Sequence, residues 1–172
     1  AFPYTSYAKV ELADIADLKA FLDTLPASDI ASQLHEVPFP FNVRRGLGLW
    51  KLLFLRDDWV LADEALSEQA QTGRALVEGL GHCTECHTAR GPFGNLQAGK
   101  WMQGAPNPNG KGKIPALAGH EWSAADIAEY LKSGFTPEFD TAGGEMVDVV
   151  ENTAKLSDLD RAAIAAYLKA LP

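Results

Sequence analysis

Apolar residues recur with helical spacing in the first part of the chain. From Glu11 they fall three or four residues apart, at Leu12, Ile15, Leu18, Phe21, Leu22 and Leu25. This spacing predicts an amphipathic helix over about residues 11–25, which Pro26 ends. A helix with one apolar face needs a surface to cover, so we expect this helix to pack against another element.

A second apolar stretch follows a linker that contains Pro38 and Pro40, and these prolines predict extended backbone. Residues 46–55 are then apolar on nearly every side and predict a buried helix. A strand is the alternative, because periodicity does not separate a strand from a helix in so short a run. If the run were exposed, it would form a patch for a partner or a membrane surface.

Serine residues mark the starts of three further helices. Ser67, Ser123 and Ser157 each precede a helical pattern, and a serine in that position accepts a hydrogen bond from a free amide of the first turn. Glycine and proline are frequent in residues 88–114, which predicts a long loop, and residues 135–156 are predicted as a second loop. Loops of this length in a compact domain are expected to wrap around something.

Together these elements predict an all-α chain in two parts. The polar and acidic residues 56–64 place the boundary between an N-terminal extension, residues 1–62, and a helical domain, residues 63–172. The extension is predicted to contain the helix over about 11–25, the proline-rich linker and the helix over about 46–55.

The composition narrows the range of partners. The chain has 172 residues, of which 47% are hydrophobic and 22% charged, as is typical of soluble globular proteins. Its formal net charge of −8 argues against nucleic acid as a partner, because nucleic acid is bound by cationic surfaces. The same charge is compatible with a basic surface on a protein partner. No apolar run approaches the roughly 20 residues that a membrane span needs.

The strongest chemical signal is the sequence Cys83-Thr84-Glu85-Cys86-His87. Two thiols three positions apart, followed directly by an imidazole, are typical of haem c attachment. Cys83 and Cys86 would bond the two haem vinyl groups, and His87 would bind the iron. The alternatives are a redox-active dithiol, which usually follows a strand, and part of a zinc site, which needs two more ligands. The chain has 2 cysteines, so no second cysteine pair exists, and we expect one covalent haem c.

The sixth iron ligand decides what such a haem would do. A methionine opposite histidine favours reduced iron and closes the sixth position, which makes an electron carrier. Met146 is the favoured candidate, because it lies in a glycine-rich loop far enough along the chain to reach the other haem face. Met102 is the next candidate, although a methionine there could instead fill a gap beside the haem. His35 and His120 are the remaining candidates.

An exchangeable sixth position would instead make a haem enzyme, either peroxidase-like or substrate-oxidising. Such an enzyme needs acid–base groups near the open position. Acidic side chains do surround Met146, at Glu138, Asp140, Glu145 and Asp148, but a solvated acidic loop explains them equally well.

The proximal histidine also needs a partner for its second ring nitrogen. A backbone carbonyl is the usual acceptor, and a proline provides a stiff one. We predict that the carbonyl of Pro115 accepts from His87, with Pro92 and Pro106 as alternatives. His82 is expected to be exposed and to have no ligand role.

Residues 67–172 resemble a class I cytochrome c domain. The resemblance rests on Gly73 and Leu76, Cys83-x-x-Cys86-His87-Thr88, Ile114-Pro115, Trp122-Ser123, Met146 and the segment Asp160–Pro172. It implies that Met146 is the sixth ligand and that the Pro115 carbonyl receives the His87 proton. It also implies that the first and last helices of the domain cross, with Gly73 meeting Tyr167. The function it implies is electron transfer, with no catalytic residues in the chain itself.

The closer resemblance is to the C-terminal haem domain of dihaem and multihaem cytochromes c that serve periplasmic dehydrogenases. Residues 2–26 resemble the end of a preceding domain in such proteins, and residues 37–47 resemble the linker that follows it. However, the first attachment motif is absent, and neither Phe2 nor Val10 can bind iron where such proteins place a methionine. The resemblance therefore implies either a missing N-terminal haem domain or a vestigial one.

Location and partners follow from the same chemistry. Covalent haem attachment takes place outside the bacterial cytoplasm, so we expect a periplasmic protein from which a signal peptide has been removed. The expected partners are redox proteins, on the dehydrogenase side or on the terminal oxidase or reductase side.

Overall fold

The computed structural model describes residues 3–108 and 110–172, and their contacts divide into two units. One unit consists of residues 10–57, and the other joins residues 3–9 to residues 58–172. This division differs from the predicted boundary between residues 62 and 63. Residues 3–9 carry polar side chains that bond to the haem motif, and for that reason they belong to the larger unit.

The smaller unit contains two helices, α2 (Leu12–Leu22) and α3 (Arg44–Phe54), close to the two predicted positions. The prediction that the second helix is buried was wrong, because α3 has no buried residue. Two helices are too few to enclose an apolar run, and Arg44, Arg45 and Lys51 give α3 a polar side. None of the helices in residues 3–108 and 110–172 has both the length and the apolar character that crossing a membrane requires.

The larger unit is mainly helical, and its described residues include a small two-stranded sheet. Its helices are α1 (Tyr4–Tyr7), α4 (Glu68–Arg74), α5 (Thr84–His87), α6 (Ala124–Ser133), α7 (Met146–Thr153) and α8 (Asp158–Ala170). A π-helical turn, Ala75–Leu80, continues α4, and 3-10 turns occupy Asp63–Ala65 and Ala98–Lys100. The sheet pairs β1 (Ala105–Pro106) antiparallel with β2 (Lys113–Ile114), so that Ala105 lies opposite Ile114.

The predicted helix starts are confirmed by side-chain caps. Ser67 accepts from the amide of Ala70, and Ser123 and Ser157 form reciprocal capping boxes with Asp126 and Asp160. These bonds satisfy amides that a helix leaves unpaired at its N-terminus, so a local sequence pattern is enough to place each start.

Helices α4 and α8 meet at a glycine. A Cβ atom on Gly73 in α4 would lie 1.9 Å from the carbonyl oxygen of Ala163 in α8, so the two backbones touch. The predicted neighbour was Tyr167, which lies one turn further along α8 and donates a hydrogen bond to Glu78. The hydroxyl of Tyr167 therefore contacts the π-helical turn, which contains Glu78.

Both predicted loops contain more structure than expected. Residues 88–114 include the β1–β2 pair, and residues 135–156 include α7, which begins at Met146. Short elements of this kind carry little periodic signal. Gly143 and Gly144, just before α7, are typical of a loop and so gave no indication that a helix begins at Met146. The core of the larger unit lies between α4, α6 and α8 and includes Ala70, Val77, Met102, Ile127, Ile164, Tyr167 and Leu168.

Candidate haem site

The π-helical turn places the two cysteines on one side of the unit. The amide of Cys83 donates to the carbonyl of Val77 at 2.9 Å, and the amide of Gly81 donates to that of Leu76 at 2.7 Å. These bonds end the turn and start α5, which carries the haem motif. Cys83 is half-buried, Cys86 is exposed, and neither is in a disulfide. Their spacing of three residues in a helical segment puts both thiols on the same face.

Burial has a chemical effect on the first cysteine. It raises the pKa of the Cys83 thiol to about 11, so the side chain is a protonated thiol at neutral pH. If haem were attached here, the sulfur of Cys83 would bond to a carbon of a haem vinyl group.

His87 is buried, and its ring has a fixed orientation. Nδ1 lies 2.9 Å from the carbonyl oxygen of Pro115, the partner expected from the sequence. A carbonyl can only accept, so Nδ1 carries the proton and Nε2 keeps its lone pair. Burial lowers the pKa of His87, although the bond to Pro115 acts in the opposite direction. The neutral ring is the form that binds a metal ion.

Gly104 lies against the backbone of residues 114–116, which includes the Pro115 carbonyl group, and sequence reasoning missed it. Its amide donates to the carbonyl of His87 at 2.9 Å, and its φ of 84° is in the left-handed region. A Cβ at this position would lie 2.7 Å from the carbonyl oxygen of Ile114. Only glycine therefore allows the chain to bond to His87 on one side and to approach Pro115 on the other.

Thr88 and Met102 connect the same two loops. The hydroxyl of Thr88 accepts from the amide of Met102 at 3.0 Å, and the carbonyl of Met102 accepts from the amides of Leu117 and Ala118 at 2.8 and 3.0 Å. The side chain of Met102 is fully buried in the core. The segment after Pro115 is thus attached to the segment after His87.

The other candidate ligands lie in three different settings. Met146 is half-buried at the first position of α7, directly after the glycine-rich turn in which Gly144 has a φ of 59°. The side chain of His35 is exposed, in the smaller unit. Nδ1 of His120 accepts from the amide of Trp122 at 3.2 Å, and the two rings meet edge to face.

A cavity opens beside the Pro115 loop. It has a volume of about 670 Å³ and is lined by residues 116 and 118–123 and by Asp126, Pro137 and Glu138. The indole of Trp122 donates to Glu138 at 3.1 Å across the wall of this cavity. The loop that precedes Met146 therefore faces the loop that carries the partner of His87.

The donor set fits haem c. The structure offers two free thiols on one helical face and a buried neutral imidazole with Nε2 available. Within residues 3–108 and 110–172, no group of three or more His, Cys, Asp or Glu side chains could hold a metal ion. The zinc alternative therefore finds no further ligands in that part of the chain.

Residues 3–9, called here the N-terminal strap, lie against this site. Thr5 and Ser6 donate to the carboxylate of Glu85 at 2.8 and 2.9 Å, and Glu85 lies between the two cysteines. The ring of Tyr7 meets that of His82 edge to face at 6.0 Å. The prediction that His82 is exposed was wrong, because this contact leaves it half-buried.

A helical domain with two thiols and an oriented histidine in the sequence C-x-x-C-H is typical of proteins that bind haem covalently. The family model described as cytochrome c matches residues 70–172. The chain belongs to the cytochrome c family. The predicted all-α fold of the class I cytochrome c type is confirmed.

Three relatives of known name are similar to this chain in sequence. The chain is 58% identical over 174 residues to "Diheme cytochrome c-type" of Cereibacter sphaeroides, with 100% of this chain and 58% of that protein covered. It is 32% identical over 184 residues to "Fructose dehydrogenase cytochrome subunit" of Gluconobacter japonicus, with 100% and 37% covered. It is 34% identical over 186 residues to "Gluconate 2-dehydrogenase cytochrome c subunit" of Pantoea cypripedii, with 99% and 42% covered.

These matches confirm the resemblance to dihaem cytochromes and to the cytochrome subunits of dehydrogenases. The chain spans 58% of the length of the Cereibacter protein and smaller shares of the other two.

Proposed function

We propose that this chain carries one haem c, bonded through Cys83 and Cys86, with His87 and Met146 as axial ligands. When bound, the haem supplies a one-electron redox change and needs no proton chemistry from the protein. The protein contributes attachment, orientation of the ligands and burial. The observation that carries this proposal is the 2.9 Å contact between Nδ1 of His87 and the Pro115 carbonyl, which leaves Nε2 free for iron.

Met146 is the better of the two methionines for the sixth position. The side chain of Met102 is fully buried among core residues. Met146 is only half-buried and follows a turn rich in glycine, so its thioether is available to a group bound beside α7. The hydroxyl of Thr153 donates to the carbonyl of Leu131 at 2.6 Å, which ties the far end of α7 to α6 and fixes the position from which Met146 extends.

The proposed partner is a dehydrogenase in the periplasm. Two of the relatives are named as cytochrome subunits of dehydrogenases, one for fructose and one for gluconate. By analogy, this chain would accept electrons from a dehydrogenase and pass them to the next carrier. The Cereibacter relative is longer and is named as a dihaem protein. By the same analogy, this chain would be part of a longer protein with a second haem.

The experiment that tests the proposal is the intact mass of the denatured protein, expressed in cells that attach haem c. The expected mass is that of the polypeptide plus one haem, because the two thioether bonds survive denaturation. The double variant Cys83→Ala/Cys86→Ala should lose that added mass. A wild-type mass equal to the polypeptide alone would refute covalent haem binding.

A matched pair of histidine variants tests the axial role. His87→Ala should change the visible spectrum of the bound haem, whereas His35→Ala, at an exposed histidine of the smaller unit, should leave it unaltered. Identical spectra for wild type and His87→Ala would rule out His87 as the iron ligand.

A further inference from the structure

A buried ion pair joins the N-terminal strap to the segment that carries the haem motif. Nζ of Lys9 lies 2.6 Å from Oε2 of Glu78, and the two side chains are 8% and 0% exposed. Glu78 lies in the π-helical turn, five residues before Cys83. The carbonyl of the neighbouring Val77 accepts a hydrogen bond from the amide of Cys83. The pair is therefore next to the attachment segment, defined here as residues 82–87.

The carboxylate of Glu78 is fully satisfied. Oε2 accepts from Lys9, and Oε1 accepts from the indole of Trp101 at 3.3 Å and from the hydroxyl of Tyr167. Burial, together with the adjacent charge of Glu78, raises the pKa of Tyr167, so the hydroxyl keeps its proton and donates it. Lys9, Trp101 and Tyr167 thus place three hydrogen-bond donors around one buried carboxylate.

The ammonium group of Lys9 has aromatic neighbours as well. It lies 5.0 Å from the ring centre of Trp59 and 5.3 Å from that of Trp101. Aromatic faces attract a cation that has lost its water, which offsets part of the cost of burying Lys9. The Lys9 ammonium is thus surrounded by one carboxylate and two aromatic rings, all of which interact favourably with a cation.

We propose that Lys9 and Glu78 are positioning residues of the haem site. Their ion pair holds the strap over the attachment segment, and the two buried charges help to set the reduction potential of the haem. The outer contacts of the strap, from Thr5 and Ser6 to Glu85 and from Tyr7 to His82, depend on this inner bond. The inference rests on the proposed haem, and neither Lys9 nor Glu78 is one of the proposed iron ligands.

Buried ion pairs often add little stability, since desolvation cancels much of the attraction. Removing one partner is costly, however, because the other charge is left buried and alone. A positioning role explains why such a pair is present, and it predicts a specific electrostatic effect. A positive charge near the haem favours reduced iron, and a negative charge favours oxidised iron.

The test compares Lys9→Met, Glu78→Gln and the double variant in the full chain with haem attached. Redox titration should show a lower potential for Lys9→Met and a higher one for Glu78→Gln. The double variant should lie nearer to wild type than either single variant does. Shifts of both single variants in the same direction, or no shifts, would overturn the electrostatic role, since a loosened strap alone has no reason to act with opposite signs.

Hydrogen exchange measures the strap itself. The amides of Ser6, Tyr7 and Ala8 are bonded within it, and each single variant should raise their exchange rates by about tenfold or more. The control is the exposed pair Lys19–Asp23, with side chains 71% and 64% exposed, where Lys19→Met should alter neither exchange in the strap nor the potential. Unchanged exchange in Lys9→Met would overturn the positioning role.

A milder variant protects the test against loss of folding. Thr5→Ala/Ser6→Ala removes the hydrogen bonds to Glu85 and leaves the ion pair, so it should speed exchange near residues 5–6 while shifting the potential less than Lys9→Met does. A shift in potential as large as that of Lys9→Met would count against the ion pair as its source. If wild type carries no haem, the proposed function fails; if it carries haem and the variants do not separate, only the present inference fails.

Discussion

Gly104 connects the backbone of His87 to the segment that carries its hydrogen-bond partner, Pro115. It bonds to the His87 carbonyl and passes close to Ile114 and Pro115, with a positive φ. Any side chain would meet both a steric and a conformational penalty there. The histidine and its proline partner can be predicted from the sequence, because each belongs to a short motif. Gly104 cannot, because its importance comes from two chain segments that meet only in the fold.

Gly104→Ala should therefore lower the free energy of unfolding by about 1–3 kcal/mol, through the left-handed backbone and the 2.7 Å approach to the Ile114 oxygen. It should also move the Pro115 carbonyl and alter the haem spectrum. Denaturant unfolding followed by haem absorption measures both effects. The control is Gly99→Ala, where a Cβ has no neighbour within 4 Å. Equal stability of the two variants would contradict the close approach.

A single carboxylate gives a pH prediction. The hydrogen bond from Arg161, with the charges of Lys132 and Arg161, lowers the pKa of Asp158. The folded protein thus binds this proton less tightly than the unfolded chain does. Ionised Asp158 contributes stability above its unfolded pKa of about 3.9, and this is lost as the pH falls through the lower folded value.

The melting temperature of Asp158→Asn should accordingly be below that of wild type at neutral pH, and the difference should shrink as the pH falls below the unfolded pKa of this carboxyl group. Thermal unfolding at several pH values measures it. Glu121→Gln, at another exposed carboxylate, is the comparison. A difference that grew towards acid pH would have the wrong sign and would exclude this role for Asp158.

Among the elements, helices α4 and α8 pack directly against each other in the larger unit. Their starts could be predicted, since serine caps and acidic first turns act locally. The contact between them could be predicted only in part: a glycine was expected at the crossing, and the atom nearest to its Cβ position is the Ala163 carbonyl oxygen. Side-chain partners across two helices depend on their relative rotation, which the sequence pattern of each helix leaves open.

Gly73→Ala tests this crossing. Its Cβ would lie 1.9 Å from the Ala163 oxygen, and the three nearest atoms all belong to the backbone of Ala163 and Ile164, so the helices must move apart. We expect a loss of about 3 kcal/mol or more in the free energy of unfolding. Alanine is normally the better helix former, by about 1 kcal/mol. A stabilised variant in chemical denaturation would therefore show that the helices do not touch here.

At the scale of the whole molecule, the boundary between the two units shows where sequence reasoning ends. Helices in residues 10–57 could be predicted from periodicity and prolines. The return of residues 3–9 to the haem unit could not, because it rests on one lysine and two hydroxyl groups that bond to residues 69 to 80 positions away. Contacts of that range leave no periodic signal.

The charge of the molecule predicts how it exchanges electrons. A formal net charge of −8 should attract cationic reagents, and salt should screen that attraction. The rate of electron transfer with hexaammineruthenium should fall as ionic strength rises, and the rate with ferricyanide should rise. Stopped-flow kinetics at two salt concentrations measures both. The same salt trend for both reagents would show that net charge does not govern the encounter.

The identity of the sixth ligand is the central claim, because it separates an electron carrier from a haem enzyme. Met146→Leu and Met102→Leu are matched variants, since leucine keeps the volume and removes the sulfur. The measurement is the visible spectrum of each oxidised protein, together with carbon monoxide binding after reduction. We predict that Met146→Leu loses the methionine–iron charge-transfer band and binds carbon monoxide readily, while Met102→Leu behaves as wild type. Loss of the band in Met102→Leu alone, or rapid carbon monoxide binding by wild type, would contradict this account.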